Sequence, residues 1–154
     1  MSYKALLLAT AATLAITGTA IAADPPMIID EPIIDNTFDW NGFYLGINGG
    51  ILSEASGTYP SIGIDFGWNW AESDILFGIE GDLDWYVTAG EFTGELQGRI
   101  GGVFDPAVLY VDGGIGGVSN GVVYGFIGAG VEFAVADNMS LGLQADLLGT
   151  GRRA

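Results

Sequence analysis

This sequence predicts an all-β chain, an antiparallel up-and-down barrel of the kind that crosses a membrane with strands. Three observations predict it. Large apolar residues alternate with glycine or polar residues in seven successive stretches after residue 40. Successive side chains on a strand point to opposite faces, so each stretch has one apolar face and one small or polar face. The stretches run to roughly 10 to 13 residues, the length of a tilted bilayer-crossing strand rather than a soluble one. No stretch carries a convincing helical period, and turn-forming residues separate them.

The first 22 residues read as a secretory signal peptide and not as part of the fold. Lys4 supplies a positive start, Ala5 to Ile16 is a short apolar run, and Ala20-Ile21-Ala22 offers a cleavage site. The remaining chain of about 130 residues is one domain in length. Residues 23–39 hold a proline- and acid-rich lead with an internal echo, Pro26-Met27-Ile28-Ile29-Asp30 and Pro32-Ile33-Ile34-Asp35. As a strand it would put acid on both faces, and Pro32 would lack a ladder donor. It is expected to be a flexible periplasmic extension ahead of a barrel domain at 40–154.

The first strand sets Phe43, Leu45, Ile47 and Ile51 against Tyr44, Gly46, Asn48 and Gly50. The second, Ser61 to Ala71, is the cleanest: Ile62, Ile64, Phe66, Trp68 and Trp70 alternate with Gly63, Asp65, Gly67 and Asn69. The third, Ile75 to about Val87, sets Phe77, Ile79, Leu83 and Trp85 outward and Glu80, Asp82, Asp84 and Tyr86 inward. The fourth opposes Leu96, Ile100 and Phe104 to Glu95, Gln97 and Arg99. The fifth opposes Leu109, Val111 and Ile115 to Tyr110, Asp112 and Gly114. The sixth opposes Ile127, Ala129, Val131 and Phe133 to Gly128, Gly130 and Glu132. The seventh opposes Leu141, Leu143, Ala145 and Leu147 to Gly142, Gln144 and Asp146. Short turns are expected at 71–74, 105–107 and 136–138, and longer loops at 53–60, 88–93 and 119–121.

The apolar face is expected to meet lipid. A soluble barrel would carry charge on its outward parity, and these strands place their acids on the inward one. Trp40, Phe43, Trp68, Trp70, Trp85 and Phe133 lie towards strand ends, as interfacial aromatic girdles do. The 26 glycines relieve crowding inside a narrow barrel. The alternative is a soluble exported β-barrel or sandwich that binds an apolar ligand.

Composition excludes several functions. With 19 acidic and 4 basic residues the formal net charge is −15, and it becomes one unit more negative when Lys4 leaves with the leader. Such a chain repels nucleic acid, which is therefore not an expected partner. Disorder is disfavoured because aromatics make up 12% and hydrophobic residues 49%. Histidine and cysteine are absent, which removes Ser-His and Cys nucleophile systems and zinc sets. No enzyme activity, cofactor or metal is expected.

Four motifs then resemble a known family, the small Gram-negative outer-membrane β-barrels of the porin-like or opacity-type surface-antigen class. Trp40-Asn41-Gly42-Phe43-Tyr44-Leu45-Gly46 resembles the family's opening strand. Gly94 to Gly101 resembles its G-x-L-R-G-R-x-G strand, with Gln97 in place of one arginine. Leu109 to Gly114 resembles its L-Y-V-T-G-G, and Gly125 to Phe133 with Asp137 to Leu141 resembles a later pair of strands. The resemblance covers residues 40 to 148 in order. It implies an eight-stranded barrel in the outer membrane, no catalysis, and membrane lipid and the outer-membrane insertion machinery as partners. It also implies an eighth strand ending in an aromatic residue, whereas here Gly149-Thr150-Gly151-Arg152-Arg153-Ala154 follow the seventh. Seven strands of an expected eight would leave an open edge, so a truncated or frame-shifted product is expected.

The interior candidates form a charge belt: Asp65, Glu80, Asp82, Asp84, Glu95, Arg99, Asp112, Glu132 and Asp146. Pairing across the turns is expected to set Asp65 opposite Glu80, and Arg99 opposite one of Glu80, Asp82 or Asp84 and near Asp112. A cation-selective constriction or a calcium site is one reading, since oxygen ligands suit hard cations. A salt-bridge network plugging a narrow barrel is favoured, because a barrel this small leaves no continuous wide channel. The function expected from the sequence is a structural outer-membrane barrel that supports envelope integrity, with a narrow cation-favouring pore as an added capacity.

Overall fold

The computed structural model describes the backbone of residues 7–17 and 38–150, and side chains over 38–149. Eight antiparallel strands run in chain order around a closed barrel. They are β1 Leu7–Thr17, β2 Gly42–Glu54, β3 Gly57–Glu72, β4 Ile75–Tyr86, β5 Glu91–Phe104, β6 Ala107–Val118, β7 Val123–Ala136 and β8 Met139–Thr150.

The seven expected strands are β2 to β8, joined by hairpins in the expected up-and-down order. Their alternation separates two environments. Ile47, Phe66, Trp68, Leu96 and Ile127 on the outer face are between 43% and 66% exposed, while Tyr44, Asp65, Arg99 and Ser140 on the inner face are 7% exposed or less. A water-soluble fold hides its large apolar side chains; this one displays them on every strand from β2 to β8.

Two expected loops are shorter than the sequence indicated. β2 continues to Glu54 and β3 begins at Gly57, so the 53–60 loop is a tight hairpin around Ala55 and Ser56. Thr58 and Tyr59 are good strand formers and extend the ladder, with Tyr59 opposite Leu52. Likewise β5 begins at Glu91, which leaves a turn over residues 87–90.

A larger difference concerns the place between β2 and β8. The sequence assigned residues 1–22 to a signal peptide outside the fold and left two open edges. In the structure Leu7–Thr17 occupies that place as β1, with Leu14 opposite both Ile47 of β2 and Leu141 of β8. Bare strand edges expose unpaired N–H and C=O groups, which are costly where water is excluded. Leu7–Thr17 is uncharged and long enough to satisfy both edges at once, so the same apolar run that reads as a leader can complete the ladder. The periplasmic extension expected at residues 23–39 lies, apart from Phe38 and Asp39, outside the described residues, as do residues 151–154.

The barrel has two unlike ends. At the short-turn end, where two-residue turns join β3 to β4, β5 to β6 and β7 to β8, Trp40, Leu76, Val108 and Tyr110 pack together, with Phe38, Ala71, Val103 and Ala134 around them. At the other end, Tyr124, Phe126 and Leu148 pack with Leu52 and Val118.

Candidate functional site: a charge network inside the barrel

Side-chain size sets the interior. Inward aromatics sit directly across the ladder from glycines: Tyr44 from Gly67, Tyr110 from Gly130, Tyr124 from Gly116 and Phe126 from Gly114. In each pair a Cβ on the glycine would overlap the aromatic side chain. The missing side chain makes room for a ring to lie flat along the wall, and the rings narrow the lumen to a polar core.

Arg99 is the centre of that core and is the only basic residue among the described ones. It is 7% exposed. One terminal nitrogen of its guanidinium lies 3.2 Å from Glu132 and 3.6 Å from Glu80. Its Nε and other terminal nitrogen donate to Asn69 Oδ1 at 3.1 and 2.9 Å. The rings of Tyr44 and Tyr110 flank it, with their centroids 4.8 and 5.2 Å from the guanidinium carbon. The Tyr44 hydroxyl donates to Glu80, and the Ser140 hydroxyl donates to Glu132.

Each of the seven strands β2 to β8 thus supplies one member: Tyr44, Asn69, Glu80, Arg99, Tyr110, Glu132 and Ser140. A planar guanidinium serves this arrangement because its fixed fork of donors reaches several acceptors while its faces stack on rings. Breaking such a buried set by removing one partner costs far more than a surface pair would.

A second polar layer lies beside the first and is built on amides. Gln97 Nε2 donates to Glu80, and its contact with Asp82 is 3.5 Å. Gln144 Nε2 donates to Asp146 at 3.1 Å and reaches Asp112 at 3.4 Å, while its carbonyl accepts from the Tyr110 hydroxyl at 2.9 Å. Glu95 accepts from the Tyr124 hydroxyl. Neutral amides and hydroxyls therefore satisfy these acceptors without cancelling their charge.

All nine belt residues lie on the inner parity; Arg99 stands opposite Asp112 as expected, while the pairings of Asp65 and of Arg99 with β4 are shifted. Asp65 stands opposite Asp82, and Glu80 opposite Gly67 and Gln97. Arg99 stands opposite Gly78 on β4 and opposite Asp112 on β6. Its ion-pair partners come instead from a diagonal neighbour, Glu80, and from Glu132 on β7. The shift by two residues leaves every side chain on its proper face, because the side-chain period is two. Among the described residues no three carboxylates converge as a metal-holding set, so the calcium reading finds no coordination shell there.

The aromatic set needs one correction. Phe43, Trp68, Trp70, Trp85 and Phe133 are 43% to 51% exposed on the outer face. Trp40 is 4% exposed and belongs to the apolar cluster that closes the short-turn end. It precedes the ladder, and Gly42, at φ +107°, turns the chain between Trp40 and the strand. Strand parity does not govern a residue outside the strand. The sequence places Tyr44, Tyr86 and Tyr110 on the inner parity but gave them no role, and it passed over Tyr124; for Tyr44, Tyr110 and Tyr124 the signal was an inward aromatic facing an inward glycine.

Among the described residues, two cavities of the interior bear on function. A cup of about 360 Å³ at the end of the longer turns is lined by Leu52, Glu54, Tyr59, Tyr86, Tyr124 and Leu148 among others. A chamber of about 50 Å³ lies against Asn48, Asp82, Asp84, Glu95, Gln97 and Asp146, and it shares Tyr86 and Leu148 with the cup.

Comparison with known proteins bears on this architecture. The chain is 29% identical, over 173 aligned residues, to the 25 kDa outer-membrane immunogenic protein of Brucella abortus, spanning 90% of this chain and 80% of the relative. The protein of the same name from Brucella ovis gives 29% over 90% of this chain and 85% of the relative. The 22 kDa outer membrane protein of Rhizobium leguminosarum bv. viciae is 32% identical over 133 residues, 68% of this chain and 62% of that relative. No family model and no solved structure matches. The chain, similar to these proteins and folded as an all-β up-and-down sheet with an apolar outer face, is an outer-membrane β-barrel protein of a Gram-negative bacterium.

Proposed function

We propose that this protein is a structural barrel whose strands span the outer membrane and support the integrity of the envelope, without catalysis. The observation that carries the reading is the outer belt of exposed Ile, Leu, Val, Phe and Trp side chains on strands β2 to β8 around a polar, packed interior. Burying that belt in hydrocarbon supplies the driving force that a soluble barrel would draw from its inside. Membrane lipid is then the main partner, with the insertion machinery acting during assembly, and the acidic charge disfavours nucleic acid. The absence of histidine and cysteine from the whole sequence supports a non-enzymatic role.

A narrow cation-favouring pore is the second reading, supported by the excess of carboxylates around Arg99. The interior geometry favours the closed form, because the Arg99 layer and the Trp40 cluster lie in series along the lumen. The protein should fractionate with outer membranes and migrate on gels as a compact species until boiled. In planar bilayers it should show no steady conductance. Recovery in the soluble periplasm would sink the reading, and a steady cation-selective current would replace it with the pore.

A further inference from the structure

We infer that the cup and the chamber behind it form one binding site for a small primary organic ammonium, its apolar body between tyrosines and its charged head towards the chamber. This goes beyond a structural role and does not depend on a pore.

Size divides the two spaces. The cup, at about 360 Å³, has the volume of a ligand pocket and the mixed lining of one: Tyr59, Tyr86 and Tyr124 rings beside Leu52, Leu148 and Val118. The chamber, at about 50 Å³, has room for a head group and not for an aromatic ring. Because Tyr86 and Leu148 line both, a ligand lying in the cup can point one end into the chamber.

Charge selects the head. Glu80, Asp82, Asp84, Glu95 and Asp146 line the chamber, and the one basic side chain among the described residues pairs with Glu80 and with Glu132, which leaves the other four without a cation. Glu91 at the rim accepts only from the amide of Asn120, and Glu54 from the hydroxyl of Ser56. These are neutral partners that leave the negative charge uncompensated. An independent feature concerns Asn48, which lines the chamber at 8% exposure, with its side-chain carbonyl oxygen lacking a hydrogen-bond partner. A buried acceptor left open is costly, and an N–H donor arriving there satisfies it. An ammonium offers three such donors together with the required charge, and tyrosine faces attract cations. Anions and neutral apolar molecules meet none of these needs.

The test uses the full chain in nanodiscs, with empty nanodiscs as the blank. Phenethylammonium is the probe, and 2-phenylethanol and 3-phenylpropionate are the neutral and anionic controls. Calorimetry should show saturable binding of phenethylammonium, weaker by about tenfold or more for either control. Glu95→Gln, and separately Glu54→Gln with Glu91→Gln, should weaken the ammonium while leaving 2-phenylethanol unchanged. Asp74→Asn, at the opposite end of the barrel, should have no effect. Each variant is first checked for heat-modifiable mobility, so that loss of folding is not read as loss of the site. Equal binding of the ammonium and the alcohol, no saturable binding of the ammonium, or unchanged affinity in all the carboxamide variants would overturn the inference.

Discussion

Tyr44 stands directly across the β2–β3 ladder from Gly67, and its phenol fills the space that a Cβ on that glycine would need. From there its hydroxyl reaches Glu80 and its ring lies against Arg99. One absent side chain thus positions a ring that helps hold the central cation. Gly67→Val should push Tyr44 aside and destabilise the barrel by about 1–3 kcal/mol, the usual cost of overpacking. Gly49→Ala, at an outward position where the nearest atom to a new Cβ is 3.9 Å away, should be tolerated. Thermal unfolding in detergent, followed by gel mobility, measures both. Equal tolerance would show that Tyr44 has other places to go.

Arg99 compensates Glu80 and Glu132 in a site closed to water. Arg99→Ala should cost about 3–5 kcal/mol, because two carboxylates lose their only cationic partner among the described residues. Arg99→Leu should not restore stability, since volume is not what the site lacks. Stability equal to that of the wild type in both variants would mean that the carboxylates do not depend on the guanidinium.

The tryptophans divide by environment. In single-tryptophan variants reconstituted with brominated lipids, Trp68, Trp70 and Trp85 should be quenched strongly. Trp40, inside the apolar cluster at the short-turn end, should be quenched little. Trp40→Ala should also destabilise by about 3–5 kcal/mol through the cavity it leaves. Strong quenching of Trp40 would place it at the lipid interface, as its position in the sequence first indicates.

Leu14 lies in register with Ile47, so in this cysteine-free chain Leu14→Cys with Ile47→Cys should crosslink when the leader is retained. Leu14→Cys with Asn48→Cys, one position out of register, should not. A form starting at Ala23 lacks β1, and its β2 and β8 edges should lower its outer-membrane yield. A strand of the same alternation ending in Phe, joined after Gly151, should raise that yield. If the yield does not change, the seven strands β2 to β8 close without help.

Parity was legible in the sequence because the pleat is local: each side chain's face follows from its place in its own strand. That settled the class of fold, the outward belt from Phe43 to Leu147, and the inward position of the nine charged residues. The register was not legible, because a pattern of period two looks the same after a shift of two. The hairpin turns fix it: the turn at Ser73 and Asp74, which sets Glu72 opposite Ile75, is how Asp65 comes to face Asp82. Barrel closure decided the rest. It brings Glu132 of β7 to Arg99 of β5, folds Trp40 over the open end, and draws Leu7–Thr17 between β2 and β8. Those relations join segments far apart in the chain, and they depend on the width of a closed ring and the need to pair its edges, which no alternation along a single strand encodes.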